Sequence, residues 1–138
     1  LQEARQVLVD SLDLEPGNPI TYETMALLAL RAGRWEDPRQ AAQRALAIDD
    51  RLSLAWNYLG GALYNLGNRA EAVGAWAKSV ENDPQNYDAM FNMAVVAREV
   101  GDIDSARRAL RQFIDTAPPD RYGPDIQRAI RWYAMLDN

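Results

Sequence analysis

Apolar residues recur along the chain with the spacing of one face of an α-helix. Three segments carry a mostly apolar series at i, i+3, i+4 and i+7, which places these side chains on one side of a helix. The three series are Tyr22, Met25, Ala26, Ala29; Trp56, Leu59, Gly60, Leu63; and Met90, Met93, Ala94, Ala97. Similar series follow two of them, at Ala72, Trp76, Ser79, Val80 and at Ala106, Leu110, Phe113, Ile114.

Glycines separate these series at a constant interval. Gly33, Gly67 and Gly101 follow one another at steps of 34 residues. A fixed period of this length is the sequence signature of a repeat architecture. Each unit is predicted to be a helix, a tight glycine turn and a second helix, which Pro84 and Pro118 bring to an end.

The middle unit resembles a tetratricopeptide repeat (TPR). The signature of that family is W-x2-L-G-x2-Y, then A-x3-F, then P, over 34 residues. The matching positions are Trp56-x2-Leu59-Gly60, Ala72-x3-Trp76 and Pro84, whereas Leu63 replaces the signature tyrosine. Both tryptophans stand at signature positions where the two helices of a unit pack, so we expect them in the core and not in a ligand pocket. The resemblance implies an all-α fold, a right-handed superhelical solenoid of antiparallel helix pairs.

We predict a single TPR domain over residues 1–138. Its parts are a half repeat at 1–18 that has only the second helix, repeats at 19–52, 53–86 and 87–120, and a C-terminal capping helix at 121–138. The capping helix has Pro124 near its first turn and an apolar stripe of Ile126, Ala129, Ile130 and Tyr133. The chain opens with LQEARQVL and not with a methionine and a signal-like segment, so we expect a fragment of a longer protein. The resemblance is to TPR proteins of the bacterial type.

Pro38 departs from the repeat pattern, and Gly60 and Gly61 are glycines inside a predicted helix that need an explanation. In the first unit Pro38 stands where the family has alanine, and we expect its helix to start late, with Asp37 as its N-cap. Gly60 and Gly61 lie inside a predicted helix, where each costs about 1 kcal/mol relative to alanine. Close helix crossing explains Gly60, and the missing side chain of Gly61 either leaves a hollow for a partner or is simply tolerated.

Composition removes several classes of function. The chain carries a net charge of −5 and contains no cysteine and no histidine, so thiol and imidazole chemistry and the usual zinc sites are absent. Its fourteen arginines and Lys78 form no basic stripe, and no apolar run is long enough to span a membrane. We therefore predict no cofactor, nucleic acid or membrane insertion. The compartment stays open between cytoplasm and periplasm for a soluble protein.

No catalytic or metal-binding set emerges from the sequence. Asp102-x-Asp104 is similar to the start of a calcium loop, but Arg107 and Phe113 replace the glycine and glutamate that the loop needs. Capping of a helix N-terminus explains the aspartates better. We expect no enzyme activity.

The resemblance assigns function to the first helix of each unit, whose outward positions line the concave groove in the TPR family. The predicted groove residues are Glu23, Leu27, Leu30, Arg31; Asn57, Tyr58, Gly61, Tyr64, Asn65; Phe91, Asn92, Val95, Arg98; and Trp132 of the terminal helix. Such a mixture of apolar groups and amides suits a bound peptide. The alternative is a groove filled by its own side chains or by neighbouring parts of a longer protein.

We predict a scaffold that binds a peptide or protein segment in this groove. Glu23, Leu27 and Asp88 occupy positions where chaperone-binding TPR proteins hold an acidic C-terminal tail, so that activity is not expected. One alternative is an appendage of a larger bacterial protein, such as a hydrolase. Another is a homo-oligomer formed through the N-terminal half repeat, where Leu1, Val7, Leu8 and Leu12 lack the partner helix of their unit.

Overall fold

The computed structural model describes residues 18–33 and 36–136, so almost all of the predicted half repeat at 1–18 lies outside the described residues. The described part of the chain contains helices and no strands. The helices are α1 Pro19–Arg31, α2 Glu36–Ile48, α3 Ser53–Asn65, α4 Arg69–Asn82, α5 Tyr87–Val100, α6 Ile103–Thr116 and α7 Pro119–Leu136.

Short polar side chains begin three of these helices. The side-chain oxygen of Asn18 accepts a hydrogen bond from the backbone N–H of Ile20, and Asn86 does the same for Ala89. Asp102 accepts one from Ser105 at the start of α6. These bonds satisfy backbone donors that have no partner within the helix. The aspartate of the calcium-like motif is therefore a helix cap, as the sequence indicated.

The three repeat glycines turn the chain between paired helices. Gly33, Gly67 and Gly101 have φ values of 74°, 91° and 78°. This left-handed region is disfavoured for residues with a Cβ atom but is open to glycine. The turns follow α1, α3 and α5 directly, so each of these helices is followed by a partner that packs back against it.

The helices pack in chain order as a stacked series of pairs. α1 pairs with α2, α3 with α4, and α5 with α6, while α2, α4 and α6 each also contact the helix that follows them. The core runs between them and includes Trp76, Met90, Leu110 and Phe113, all at most 3% exposed. Trp56 was expected in this core but is only half-buried, with its indole N–H donating to the Asp50 carbonyl oxygen at 2.8 Å.

The terminal helix α7 differs from the sequence prediction. α7 begins at Pro119 and not after Asp120, and Tyr122 leaves the helical region (φ −116°, ψ 19°). Pro124 explains the kink, because its ring cannot donate a backbone hydrogen bond and clashes with the preceding turn. Ile130, placed in the apolar stripe, is 44% exposed.

The helix around Pro38 also differs from expectation. α2 begins at Glu36, so Asp37 lies within the helix and is not its N-cap. Pro38 still falls in the first turn, where backbone N–H groups need no partner within the helix.

Candidate functional site

The predicted groove residues lie on α1, α3 and α5, with Trp132 on α7. We call this surface the first-helix face. None of its fourteen members is fully buried: Arg31, Asn65 and Asn92 are exposed and the rest are half-buried. Half-buried apolar and aromatic side chains on one face are the usual composition of an interaction surface.

Neighbouring first helices contact each other across this face. Leu30 of α1 approaches Gly61 of α3, since a Cβ atom built on Gly61 would lie 3.7 Å from Leu30 Cδ2. On the other side of α3, the Tyr64 hydroxyl lies 3.5 Å from Glu99 Oε2. The structure thus brings together predicted residues from helices that are separate in sequence.

Glu99 and Arg69 complete the surroundings of Tyr64. The guanidinium of Arg69 lies 5.2 Å from the centre of the Tyr64 ring and 3.9 Å from Glu99 Oε2. Arg69 was not among the predicted residues because it begins α4, a second helix, and the repeat pattern assigns function to first helices. Only the fold places it here.

A stack of aromatic and cationic side chains closes the C-terminal end of the first-helix face. The rings of Phe91 and Trp132 stack with their centres 5.7 Å apart, and the Arg98 guanidinium lies 4.3 Å from the centre of the Trp132 ring. Phe91 also packs on buried Phe113 at 5.1 Å. The predicted residues Phe91, Trp132 and Arg98 therefore lie together, but they contact one another. At this end of the face, the structure agrees with the alternative of a groove filled by its own side chains.

Two of the asparagines have their side-chain amides oriented by hydrogen bonds within the chain. Trp76 Nε1 donates to Asn57 Oδ1 at 2.9 Å, and Asn65 Nδ2 donates to the backbone oxygen of Gly61 at 2.8 Å. For Asn92 the described residues provide no side-chain hydrogen bond. Trp76, which the sequence assigned to the core alone, thus also orients a residue of the first-helix face.

A carboxylate and a phenol are partly buried beside each other near the start of α3. Burial raises the pKa of Glu23 above its ordinary value, while the backbone N–H of Ala55 lowers it. The pKa of Tyr58 is raised, first by burial and then by the charge of Glu23. Among the described residues no cation lies within ion-pairing distance of Glu23, although Arg31 is near enough to act weakly on Tyr58.

The paired glycines of α3 have different surroundings. A Cβ atom on Gly60 would lie 2.6–2.8 Å from three atoms of the Trp76 indole, which confirms that this glycine permits close helix packing. On Gly61 a Cβ atom would meet only Leu30, at ordinary contact distance. Gly61 is therefore a shallow depression in the first-helix face.

A cavity of about 680 Å³ lies between α2, α3 and α4, away from the predicted residues. The half-buried Trp56 ring forms part of its wall, with Leu46, Lys78 and Glu81 around it. Lys78 and Glu81 are paired with each other at 3.6 Å. Sequence reasoning missed this cavity, because its wall combines residues from both kinds of helix.

The described residues lack the structural features of metal binding and of membrane insertion. They contain no group of three or more acidic, histidine or cysteine side chains arranged to hold a metal ion. Over the same residues, no helix is both long and apolar enough to cross a membrane.

Comparisons with known proteins show which family and which relatives this chain resembles. A family model described as "T7SS, ESX-1 secretion system protein EccA1, N-terminal domain" matches residues 1–132. The chain is also 33% identical over 76 residues to the small glutamine-rich tetratricopeptide repeat-containing protein 2 of Mycosarcoma maydis, an alignment that covers 55% of this chain and 22% of that protein. It spans between 14% and 23% of the length of four curated relatives that it matches.

Solved structures share the fold at low sequence identity. The Yersinia enterocolitica type III secretion chaperone SycD, in complex with a peptide of the translocator YopD, superposes with a TM-score of 0.73 at 16% identity, over 93% of each chain. The TPR2B domain of yeast Sti1, in a complex with pHsp70, gives a TM-score of 0.73 at 16% identity, over 86% of this chain and 95% of that one. The predicted fold, an all-α right-handed superhelical solenoid of antiparallel TPR helix pairs, is confirmed.

Proposed function

The chain belongs to the family of the N-terminal domain of EccA1, an ESX-1 secretion system protein of the T7SS, and we propose that it is a protein-interaction module that binds a peptide or protein segment on its first-helix face. The observation that carries this proposal is the composition of that face. Leu27, Leu30, Tyr64 and Val95 are half-buried residues of the same face as the asparagine amides, and none of them belongs to the fully buried core.

The structural neighbours support the same role. SycD in its complex holds a YopD peptide, and the Sti1 domain is in a complex with pHsp70. A stacked helical solenoid offers an extended surface suited to such partners. The proposal assigns the chain no catalysis and no cofactor, because it lacks the histidine and cysteine on which most such sites depend.

Charge argues against an acidic tail as the partner. Glu23 and Asp88 occupy first-helix positions, and Asp88 Oδ1 already accepts a hydrogen bond from the Tyr122 hydroxyl at 2.9 Å. Like charges brought together at a partly desolvated surface disfavour binding. The partner of this module is therefore a neutral or basic segment.

A double substitution tests the proposed surface. Tyr64→Ala with Phe91→Ala removes two aromatic groups from the first-helix face, and we expect partner capture from a cell lysate, followed by mass spectrometry, to fall about tenfold or more. Val100→Ala with Ile103→Ala is the matched control, since both side chains are exposed and lie outside the face.

Circular dichroism separates lost binding from lost structure. Tyr64 packs near Trp76 and Phe91 packs on Phe113, so the double variant must retain the helical signal for its result to count. If it is unstable, Val95→Arg replaces it, because this half-buried residue of the first-helix face is not part of the fully buried core. Unchanged capture by a folded variant would show that partners bind elsewhere.

A second candidate role is that of a targeting or self-assembly module within a larger protein. The family is described as an N-terminal domain, and the chain spans only a minor part of its curated relatives. Both facts favour a domain that serves other domains. The same surface substitutions, introduced into a full-length relative, would then alter its location or assembly and leave its other activities intact.

A further inference from the structure

Three residues of α3 form an oblique row on the first-helix face. Asn57, Gly61 and Asn65 follow one another at intervals of four residues, so each lies one turn further along the helix and about 40° around it from the one before. Leu30 on α1 borders Gly61, while Leu27 on α1 and Val95 on α5 occupy the repeat position of Gly61, and all three are half-buried. The row therefore lies on the middle helix of the surface, between two helices that carry apolar residues at the same repeat position.

The two ends of this row have opposite hydrogen-bonding character. An indole N–H only donates, so the bond from Trp76 fixes Asn57 with its oxygen inward and its NH₂ group available as a donor. A backbone carbonyl only accepts, so Asn65 uses its NH₂ group on Gly61 and keeps its side-chain oxygen available as an acceptor. The group that is left without a bond is therefore the donor in Asn57 and the acceptor in Asn65.

The centre of the row is a depression that an apolar side chain can fill. Gly61 has no side chain, and the space where a Cβ atom would lie is bordered by the Leu30 methyl groups at 3.7 and 3.8 Å. Asn57 and Asn65 are eight residues apart, or about 12 Å along the helix. An extended peptide covers that distance with about four residues.

Charge defines the side of the row nearest α1. Glu23 is the residue of α1 at the repeat position of Asn57, and it has no cation within ion-pairing distance among the described residues. Because it is partly buried, a cation from a partner would interact with it more strongly than with a fully solvated carboxylate.

We propose that the row Asn57, Gly61 and Asn65 binds an extended peptide segment whose apolar side chain fills the depression at Gly61 and whose basic side chain lies beside Glu23. In this arrangement Asn57 donates to a backbone carbonyl of the segment and Asn65 accepts from a backbone N–H. The inference rests on the proposed function and specifies the class of segment that the first-helix face recognises.

Peptides selected from a random phage-displayed library on the wild-type chain provide the probe. We expect them to share an apolar residue with a basic residue nearby. Gly61→Ala fills the depression and should lower the affinity of the chain for the selected peptides about tenfold. The Cβ atom meets Leu30 only at ordinary contact distance, and alanine favours the helix, so this variant should fold and melt at a higher temperature than wild type.

Gly74→Ala is the matched control for this substitution. Gly74 is exposed on α4 with nothing within 4 Å of a Cβ atom, so alanine should raise the melting temperature there too and leave binding unchanged. When glycine replaces the apolar residue of the peptide, most of the difference in peptide affinity between the wild-type chain and Gly61→Ala should disappear. Such coupling identifies direct contact between the two sites.

A pair of isosteric substitutions tests the two amides. Asn57→Asp keeps the oxygen that accepts from Trp76 but removes the donor that the peptide uses. Asn65→Asp keeps an acceptor for the peptide and loses only the bond to the Gly61 carbonyl oxygen within α3. Both add one negative charge to the same row, so charge cancels in the comparison. We expect Asn57→Asp to weaken binding about fivefold more than Asn65→Asp. Glu23→Gln should reduce the preference for peptides with the basic residue.

The outcomes separate this inference from the function on which it rests. Peptides that lose binding to Tyr64→Ala with Phe91→Ala but bind Gly61→Ala as well as wild type would overturn the inference and leave the proposed function standing. Failure to enrich any peptide would overturn both. A dimer in light scattering that Gly61→Ala dissociates would make a second copy of the chain the occupant, and would overturn the peptide assignment.

Discussion

At the scale of single residues, Trp76 connects the core with the first-helix face. Its ring is 3% exposed and lies against Gly60, while its indole N–H holds Asn57. The contact with Gly60 is possible only because that residue has no side chain. A core residue therefore determines how an amide is presented to a partner.

This dependence predicts the effect of Gly60→Ala. The added Cβ atom would lie less than 3 Å from the Trp76 ring, and overpacking of this kind costs about 1–3 kcal/mol, partly offset by the better helix propensity of alanine. Relative to Gly74→Ala, which gains propensity without a clash, we expect a loss of about 1–3 kcal/mol in the free energy of unfolding. Urea denaturation measures the difference, and equal stability of the two variants would contradict the tight contact.

At the scale of elements, α7 covers one end of the stacked pairs. Trp132 lies on Phe91 and beneath Arg98, and Tyr122 contacts both Phe113 and Tyr87 edge-on at 5.7 Å. The kink at Tyr122 separates these two contact regions of the helix. The terminal helix therefore protects aromatic side chains of α5 and α6 from solvent.

Trp132→Ala tests how strongly α7 is held. A buried tryptophan contributes several kcal/mol, so we expect this half-buried one to cost about 2 kcal/mol in the free energy of unfolding when truncated. Met135→Ala, at a site 61% exposed on the same helix, should change stability by less than about 0.5 kcal/mol. Similar values for the two variants would show that the aromatic stack does not stabilise the helix.

At the scale of the whole molecule, polar groups link neighbouring helix pairs. Within the pair α3 and α4, the Ser53 hydroxyl donates to the Ser79 carbonyl oxygen at 2.8 Å. Asn86, at the start of α5, joins the next pair to them, because its Nδ2 donates to the hydroxyl groups of both serines. Glu23 on α1 also joins two pairs, because its carboxylate accepts a hydrogen bond from the backbone N–H of Ala55 near the start of α3. In a solenoid such nearest-neighbour contacts carry much of the coupling between units.

The position of Glu23 predicts a pH dependence of stability. Burial raises its pKa above 4.5, so the folded state binds the proton more tightly than the unfolded state does. The contribution of Glu23 is therefore most favourable below about pH 4.5 and is lost as the pH rises through the raised pKa. Glu23→Gln should be more stable than wild type at pH 7. The difference in the free energy of unfolding, measured by urea titration at several pH values, should become smaller as the pH is lowered. A gap that is constant or widens at low pH would contradict the raised pKa.

The sequence by itself determined the repeat, the glycine turns and much of the core. These features depend on local backbone geometry: a 3.6-residue helical period and a left-handed turn leave a pattern in any single chain. Gly60 could be interpreted from the sequence for the same reason, since glycine within a helix needs a steric cause. The division of the chain into units and the set of groove residues remain predictions built on that pattern.

Only the tertiary structure decided which partner each side chain meets. Asn57 and Trp76 are 19 residues apart on different helices, and Phe91 meets Trp132 only because α7 packs beside α6. Such contacts depend on how helices are rotated and spaced, which periodicity does not specify. The sequence accordingly identified residues of the first-helix face, while packing between helices selected the donor, the acceptor and the depression on it.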